Sequence, residues 1–205
     1  MIQALSLPAS TAITSFDPLA VLDSASATAE QKAAALLVQK SASQVANIID
    51  VLSSAVVGSG STASASSVAT LVARSIASVI ADSATGATLD LGNKSAIAQI
   101  GGAVARDVTA SDPGSGAGAK VASLTGESGG LANALASINS KIVTATSFAD
   151  VSALQEVAQD KLSASAATAG TTPIVAANFQ GAQLETLAAN AKASVPDLTG
   201  GAGTG

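Results

Sequence analysis

Cysteine, histidine, tryptophan and tyrosine are all absent from this 205-residue chain, and three phenylalanines are its only aromatic residues. Without cysteine there is no disulfide, iron–sulfur cluster or thiol chemistry. Without cysteine and histidine, the ligands that zinc, copper and haem sites use are missing as well. These absences exclude most cofactor-dependent enzymes, and we expect no cofactor.

Charge is also scarce, since charged residues make up 11% of the chain and the net charge is −5. Nucleic-acid binding requires clustered cations, usually with aromatic side chains for stacking, and anionic membrane surfaces attract similar basic clusters. The cations are instead scattered singly, so we expect neither partner. They are Lys32, Lys40, Arg74, Lys94, Arg106, Lys120, Lys141, Lys161 and Lys192.

Long uninterrupted apolar runs are missing too. Residues 1–15 lack the basic region and the apolar stretch of a classical signal peptide. The most apolar segment, residues 33–57, falls short of the ~20 uninterrupted apolar residues of a membrane span and predicts a buried amphipathic helix. The residues that interrupt it are Gln39, Lys40, Gln44, Asn47 and Asp50.

What the chain does contain is hydrophobic residues (48%), chiefly small and aliphatic, at spacings of three and four. This periodicity predicts helices, and the short Gly/Ser/Pro turns favour antiparallel neighbours. We therefore expect an all-α antiparallel bundle of about five to seven helices with a core of Leu, Ile, Val and Ala. Residues 1–197 are predicted to form one helical domain, and residues 198–205 a flexible Gly-rich tail.

Two helix starts are marked by capping residues. Asp17 followed by Pro18 predicts a short helix to about residue 22. Thr28 with Gln31 forms a capping box, which opens a helix that ends near Gly58. One face of that helix is predicted to face the core. It consists of Leu37, Ser41, Val45, Ile48, Leu52 and Val56.

Later helices are predicted from the same pattern. They cover about residues 62–82, 93–108, 131–145, 147–162 and 180–193. In the third of these, Leu131, Leu135, Ile138 and Ile142 form a regular apolar seam. Such seams indicate a core, although a face for a partner helix follows the same pattern.

Residues 126–130 match the G-x-S-x-G pattern of serine hydrolases, with Ser128 as the nucleophile. That motif requires a base, which is histidine in those enzymes, and the chain has none. Lys120 and Lys141 lack a motif that would make either of them the base. We predict instead a loop in which Ser128 or Glu127 caps a helix start, and a protein that is not an enzyme.

Residues 114–120 are rich in glycine and end in Lys120, as a phosphate-binding loop does. A true P-loop has Gly-Lys-Ser/Thr after a strand. Here Ala119 separates Gly118 from Lys120, and no strand is predicted before them. We interpret the segment as a flexible connector.

Calcium binding by paired carboxylates is the one metal interaction left open. The acids are dispersed and no D-x-D-x-D-G loop is present. Asp107 and Asp112, on either side of a Gly-rich loop, are the best local pair for a hard cation. The alternative is that Asp107 is a surface charge near a helix end and that Asp112 belongs to the turn before Pro113.

Three segments carry a resemblance to a known class of protein: residues 5–9 (LSLPA), 15–19 (SFDPL) and 38–46 (VQKSASQVA). They resemble Ala-rich helical segments of very large secreted bacterial surface proteins that also carry cadherin-like or haemolysin-type calcium-binding repeats. The resemblance implies export by a type I system. It does not extend calcium binding to this chain, because residues 200–205 lack the aspartate of the calcium-binding repeat.

The leading hypothesis is a non-catalytic structural or adhesive module of an extracellular bacterial protein, at the cell surface or secreted. One alternative is a self-assembling subunit of a filament or surface layer. Another is an intracellular helical binding module. In each case the expected partner is a protein or a second copy of the chain, and no small-molecule substrate is evident.

Overall fold

A computed structural model describes residues 16–82, 89–126 and 128–195. These residues fold into helices joined by short turns, and no strand occurs among them. The predicted all-α class is therefore confirmed. The predicted tail, residues 198–205, lies outside the described residues.

The N-terminal part consists of a short helix, α1 (Pro18–Asp23), and a long helix, α2 (Ala29–Gly58). The Asp17 carboxylate accepts hydrogen bonds from two backbone amides of the first turn of α1, as predicted. Thr28 and Gln31 form the predicted capping box of α2. With 30 residues, α2 is about 45 Å long, and it is the axis of the bundle.

Three helices follow: α3 (Ala65–Asp82), α4 (Lys94–Ser111) and α5 (Ala117–Thr125). Helices α4 and α5 pack unusually closely. A side chain at Gly101 would collide with Thr125, and one at Gly118 would collide with the Ala105 carbonyl group and with Thr109. Glycine at both positions allows the two backbones to approach.

The C-terminal part begins with α6 (Gly130–Thr144) and then forms one continuous helical rod. The rod contains α7 (Phe148–Glu156), a π-helical turn (Val157–Leu162) and α8 (Ser163–Ala167). The Ser147 hydroxyl caps α7 by accepting the Asp150 N–H. A 3₁₀ turn (Ala176–Phe179) and the last helix, α9 (Gly181–Lys192), complete the described chain.

The core lies around the C-terminal two-thirds of α2, which contacts α3 to α8. The apolar seam of α6 is fully buried, as predicted, at Leu131, Leu135, Ile138 and Ile142. From α2, Ile48, Leu52 and Val56 are fully buried as well. Aliphatic side chains thus fill the core, and Phe179 is the one aromatic residue among its described members.

Leu37 departs from its predicted position in the core. Its side chain is 37% exposed, although it shares a helical face with the buried Ser41 and Ile48. The reason is the length of α6, which ends at Thr144. Lys40 donates to the carbonyl oxygen of Val143, at the end of α6. Leu37 lies one turn further toward the start of α2, beyond the end of α6.

One helix among the described residues, α3, has the length and apolar composition to cross a membrane. Core helices of globular proteins pass the same test, and a single such helix is weak evidence for a span. On the inner side of α3, Val68, Val72 and Ile76 pack into the bundle core. No clear membrane span therefore emerges from the described chain.

Candidate functional site

The most concentrated polar structure in the described core is a cluster of three amide side chains, Gln44, Asn47 and Asn139, which we call the amide cluster. Asn47 and Asn139 are fully buried and Gln44 is almost so. Gln44 Nε2 donates to the Asn139 carbonyl oxygen (3.0 Å), and Asn47 Nδ2 donates to Asn139 Oδ1 (3.2 Å). The cluster therefore joins α2 to α6 inside the apolar core.

Asn139 also reaches the segment between α3 and α4. Its Nδ2 donates to the carbonyl oxygens of Leu91 (3.1 Å) and Gln44 (3.4 Å). Because buried polar groups are costly when unpaired, these bonds fix the side chain in a single arrangement. Asn139 thus holds α2, α6 and the start of α4 in register.

Two further hydrogen bonds extend the polar contacts of α2 along the helical rod. The Ser43 hydroxyl donates to Gln155 Oε1 of α7 (2.8 Å), and the Ser163 hydroxyl of α8 donates to the Asp50 carboxylate. Residues 155 and 163 lie on either side of the π-helical turn. We call the amide cluster and these two bonds together the polar seam of α2. It cross-links α2 to three other helices.

The amide cluster itself contains no titratable group. Amide groups are neutral over the physiological pH range and take no part in acid–base catalysis. Asn47 Oδ1 is buried and has no hydrogen-bond partner in the described part of the chain. The seam specifies which helices meet and in what register, as buried polar groups do in some helical assemblies.

The structure gives Ser128 surroundings that differ from a hydrolase elbow. Ser128 is exposed. The two lysines considered as bases have other partners, because Lys120 donates to the Ser59 carbonyl oxygen (3.0 Å) and Lys141 donates to Glu185 (2.9 Å). The predicted capping role of Ser128 is wrong, since the N-cap of α6 is Gly129, without a side-chain hydrogen bond. Glu127 lies outside the described residues.

The glycines of this motif have packing roles. A side chain at Gly129 would collide with the Leu124 carbonyl group, and one at Gly130 would collide with the Ile174 carbonyl group. Both positions therefore require glycine where the chain turns into α6. The G-x-S-x-G match is explained by close backbone packing.

The Gly-rich segment 114–120 is only partly the flexible connector that its sequence predicted. Its first three residues form the turn before α5, where Gly116 has a left-handed φ of 67°. From Ala117 onward the segment is the first turn of α5. The prediction missed this helix because small residues give weak periodicity, whereas the fit of Gly118 against α4 stabilises it.

Asp107 and Asp112, the candidate calcium pair, contact different parts of the chain. Asp107 Oδ2 accepts from the Ser75 hydroxyl of α3 (2.7 Å). Asp112 Oδ2 accepts from the Ser61 hydroxyl (3.0 Å) and the Thr62 amide (2.8 Å). Among the described residues, no group of three or more Asp, Glu, His or Cys is arranged to hold a metal. Calcium binding at this pair remains a prediction.

Asp112 links the turn between α2 and α3 to the end of α4. The hydrogen bond from the Thr62 amide, followed by the one from the Ser61 hydroxyl, lowers the pKa of the Asp112 carboxyl. These donors stabilise the charged form of the carboxylate. The residue that was considered as a metal ligand therefore serves as the acceptor for a turn.

A cleft of 370 Å³ separates α9 from α6 and α7. An ion pair joins Lys141 of α6 to Glu185 of α9 (2.9 Å), and a second joins Asp150 of α7 to Lys192 of α9 (2.6 Å). The buried Leu184 forms part of the apolar lining between them. All four charged groups of the cleft are thus engaged in holding α9 to the bundle.

The pKa of the Asp150 carboxyl is lowered. The hydrogen bond from Lys192 is the largest cause, and the hydrogen bond from Ser147 is the next. The side chain of Lys192 is half exposed, so solvent screens the pair and its contribution to stability is small. The cleft is a helix-docking contact with partly exposed charges along its rim.

The residues that form the polar seam were visible in the sequence, but only as interruptions of an apolar stretch. Gln44, Asn47 and Asp50 recur at a spacing of three within an otherwise apolar helix. That spacing places them near one another along the helix surface. Asn139 is their partner. It lies between Ile138 and Ile142 of the apolar seam of α6, where a single amide residue gives only a weak signal in the sequence.

No family model matches the chain, and neither curated proteins nor solved structures yield a match.

Proposed function

We propose that the chain is a non-catalytic structural or adhesive module of an extracellular bacterial protein. The observation that supports this most is the use of the buried polar side chains. The amide cluster and the hydroxyl bonds of the polar seam connect α2 to α6, α7 and α8 and to the segment before α4. Such bonds favour a scaffold with one fixed arrangement of helices.

The dimensions of α2 support the same function. This helix of about 45 Å links the α1 end of the molecule to the turn near Gly58. Helices on several sides brace its C-terminal part. A long continuous helix such as α2 suits a spacer or a carrier of a binding surface, because it fixes the distance between its two ends.

Locating the protein tests the extracellular part of the proposal. In the organism that encodes the chain, an epitope tag on the native protein would be followed through cell fractionation and through mild protease treatment of intact cells. We expect the tag in the medium or in the protease-sensitive surface fraction. A tag confined to the cytosolic fraction would favour the intracellular binding module instead.

A second measurement separates a spacer from an adhesive module. Beads coated with the purified chain are mixed with cells of the same organism, and beads coated with the Leu52→Ala variant are the control. Leu52 is fully buried, so this variant weakens the fold and leaves the surface composition unchanged. Adhesion that requires the stable fold supports an adhesive surface, and equal low retention of both bead types supports a spacer.

Self-assembly is the second candidate function, because Glu30, Ala33 and Leu37, on one face of the N-terminal part of α2, are exposed in the described part of the chain. In that case growth of the purified chain into long assemblies would be expected, whereas a spacer stays a small species. The charged and apolar residues on this face indicate a more specific interaction, between two copies of the chain.

A further inference from the structure

The first twelve residues of α2, Ala29 to Lys40, extend beyond the end of α6, and we call them the α2 overhang. Glu30, Ala33, Leu37 and Lys40 lie within about 80° of one another around the helix, given 100° per residue. The first three of these side chains are exposed. On another side of the same helix Ala35 is completely buried, and α1 packs against α2.

The uncovered face continues a face that is covered further along α2. Ser41, Gln44 and Ile48 lie on the same side of the helix and are buried. Gln44 marks the contact with α6 through its 3.0 Å bond to Asn139. The covering helix then ends, and Val143, near its last residue, is 51% exposed. The overhang therefore presents a face on which Glu30, Ala33 and Leu37 are exposed, while Lys40 at its end contacts the last turn of α6.

The charges on this face are arranged symmetrically. Glu30 lies five residues before Ala35, and Lys40 lies five residues after it. If a second α2 lies antiparallel, Glu30 of each helix faces Lys40 of the other. The same register places Leu37 of each helix opposite Ala33 of the other. Antiparallel alignment is also favoured by the helix dipoles.

We infer that two copies of the chain associate through their α2 overhangs, packed antiparallel about a twofold axis that crosses the exposed face at the level of Ala35. The interface is isologous, so one patch serves both copies. Leu37 against Ala33 supplies the apolar contact, and the two Glu30–Lys40 pairs set direction and register. This inference goes beyond the proposed function, since a spacer or an adhesive module functions with or without it.

The dimer is expected to be weak. Stable interfaces bury about 800 Å² on each partner, whereas Glu30 and Lys40 are only about 15 Å apart along the helix. Ion pairs at such an exposed contact are screened by salt. The association should therefore appear at micromolar to millimolar protein concentration and should weaken as ionic strength rises.

Sedimentation equilibrium of the full chain tests the inference through charge exchange. Glu30→Lys and Lys40→Glu each place like charges opposite one another, and we expect each to weaken dimerisation about tenfold or more. The double variant Glu30→Lys/Lys40→Glu restores opposite charges and should recover most of the affinity. Recovery in the double variant requires that the two residues meet across the interface.

A second pair of variants tests the apolar contact. Leu37→Ser should weaken the dimer, whereas Val57→Ser should not, because Val57 is similarly exposed (44%) but lies at the other end of α2. Thermal unfolding of each variant at low concentration checks that the monomer still folds. A wild-type chain that stays monomeric at millimolar concentration overturns the inference, and so does a double variant that is weaker than both single ones.

Discussion

The two parts of helix α2 have similar composition and very different surroundings. From Ser41 to Val56 the helix lies among α3 to α8, and Ile48, Leu52 and Val56 are fully buried. From Ala29 to Lys40 it is accompanied chiefly by α1, and Leu37 is exposed. The pattern of apolar residues continues across both parts. What differs is whether another helix is long enough to cover the face.

The comparison shows that helix periodicity marks a face that can be buried, but not which partner buries it. In the covered part, the polar residues of α2 find partners on other helices, and the amide cluster results. In the overhang, Glu30, Ala33 and Leu37 of the same face are exposed, and Lys40 contacts the end of α6 through the Val143 carbonyl oxygen. We therefore assign stability to the covered part and association to the overhang.

The largest difference should come from truncating one leucine in each part. Leu52→Ala removes a fully buried side chain and should lower the free energy of unfolding by about 2–5 kcal/mol. Leu37→Ala should lower it by about 1 kcal/mol or less in dilute solution, because the side chain is 37% exposed and less apolar surface is lost. Urea unfolding at micromolar concentration measures both. Equal losses would contradict the division of α2 into two parts.

A smaller loss is expected from the amide cluster. Asn139→Ala leaves the Leu91 carbonyl oxygen and the Asn47 amide without a partner, which should cost about 1–3 kcal/mol. Ser137→Ala, in the same helix, removes only a local hydrogen bond to Asn133 and is the matched control. A double-mutant cycle with Asn47→Ala should show coupling of about 0.5 kcal/mol or more. Strict additivity would mean that the cluster does not act as a unit.

Two adjacent glycines in α4 offer a similar comparison, between a position packed closely against another helix and a position that is not. Gly101→Ala places a methyl group against Thr125 and should destabilise the fold by about 1–3 kcal/mol. Gly102→Ala meets only the end of the Arg106 side chain, at 3.9 Å, and should stabilise the helix by about 0.5–1 kcal/mol. Thermal unfolding of the two variants shows whether each of them is less or more stable than the wild type. A gain in both variants would show that α4 and α5 are less closely packed.

The smallest effect concerns pH and the turn held by Asp112. Its pKa is lower in the folded chain, so the carboxylate stabilises the fold above its unfolded pKa of about 3.9. That contribution is lost as the pH falls through the lower, folded pKa. Asp112→Asn should therefore reduce the dependence of unfolding free energy on pH below about pH 5. Urea titrations from pH 7 to pH 2 compare the two slopes, and identical slopes would contradict the role of Asp112.

The fold class and most of the helices could be predicted from sequence because their signals are local. The capping box at Thr28 and Gln31 and the apolar seam of α6 depend only on residues a few positions apart. Helix α5 could not be predicted, because its small residues carry little periodicity and its stability depends on contact with α4. The burial of Leu37 was predicted wrongly, because the end of α6 is a feature of tertiary structure.

The candidate sites differ in the same way: some match local sequence patterns, whereas the amide cluster depends on tertiary structure. The Ser128 motif and the Gly-rich segment matched short patterns. The close approach of backbones explains Gly118, Gly129 and Gly130, and a left-handed φ explains Gly116. The amide cluster, in contrast, joins residues about 90 positions apart in the chain. No local pattern indicates that Asn139 meets Gln44 and Asn47.

Hydrogen–deuterium exchange along α2 in dilute solution tests the central claim most directly. The account predicts that backbone amides between Gln44 and Val56 exchange only through global unfolding. Amides between Lys32 and Leu37 should exchange through local opening, at least about tenfold faster. Uniform protection along the whole helix at low concentration would contradict the claim that the covered part of α2 is more stable than the overhang.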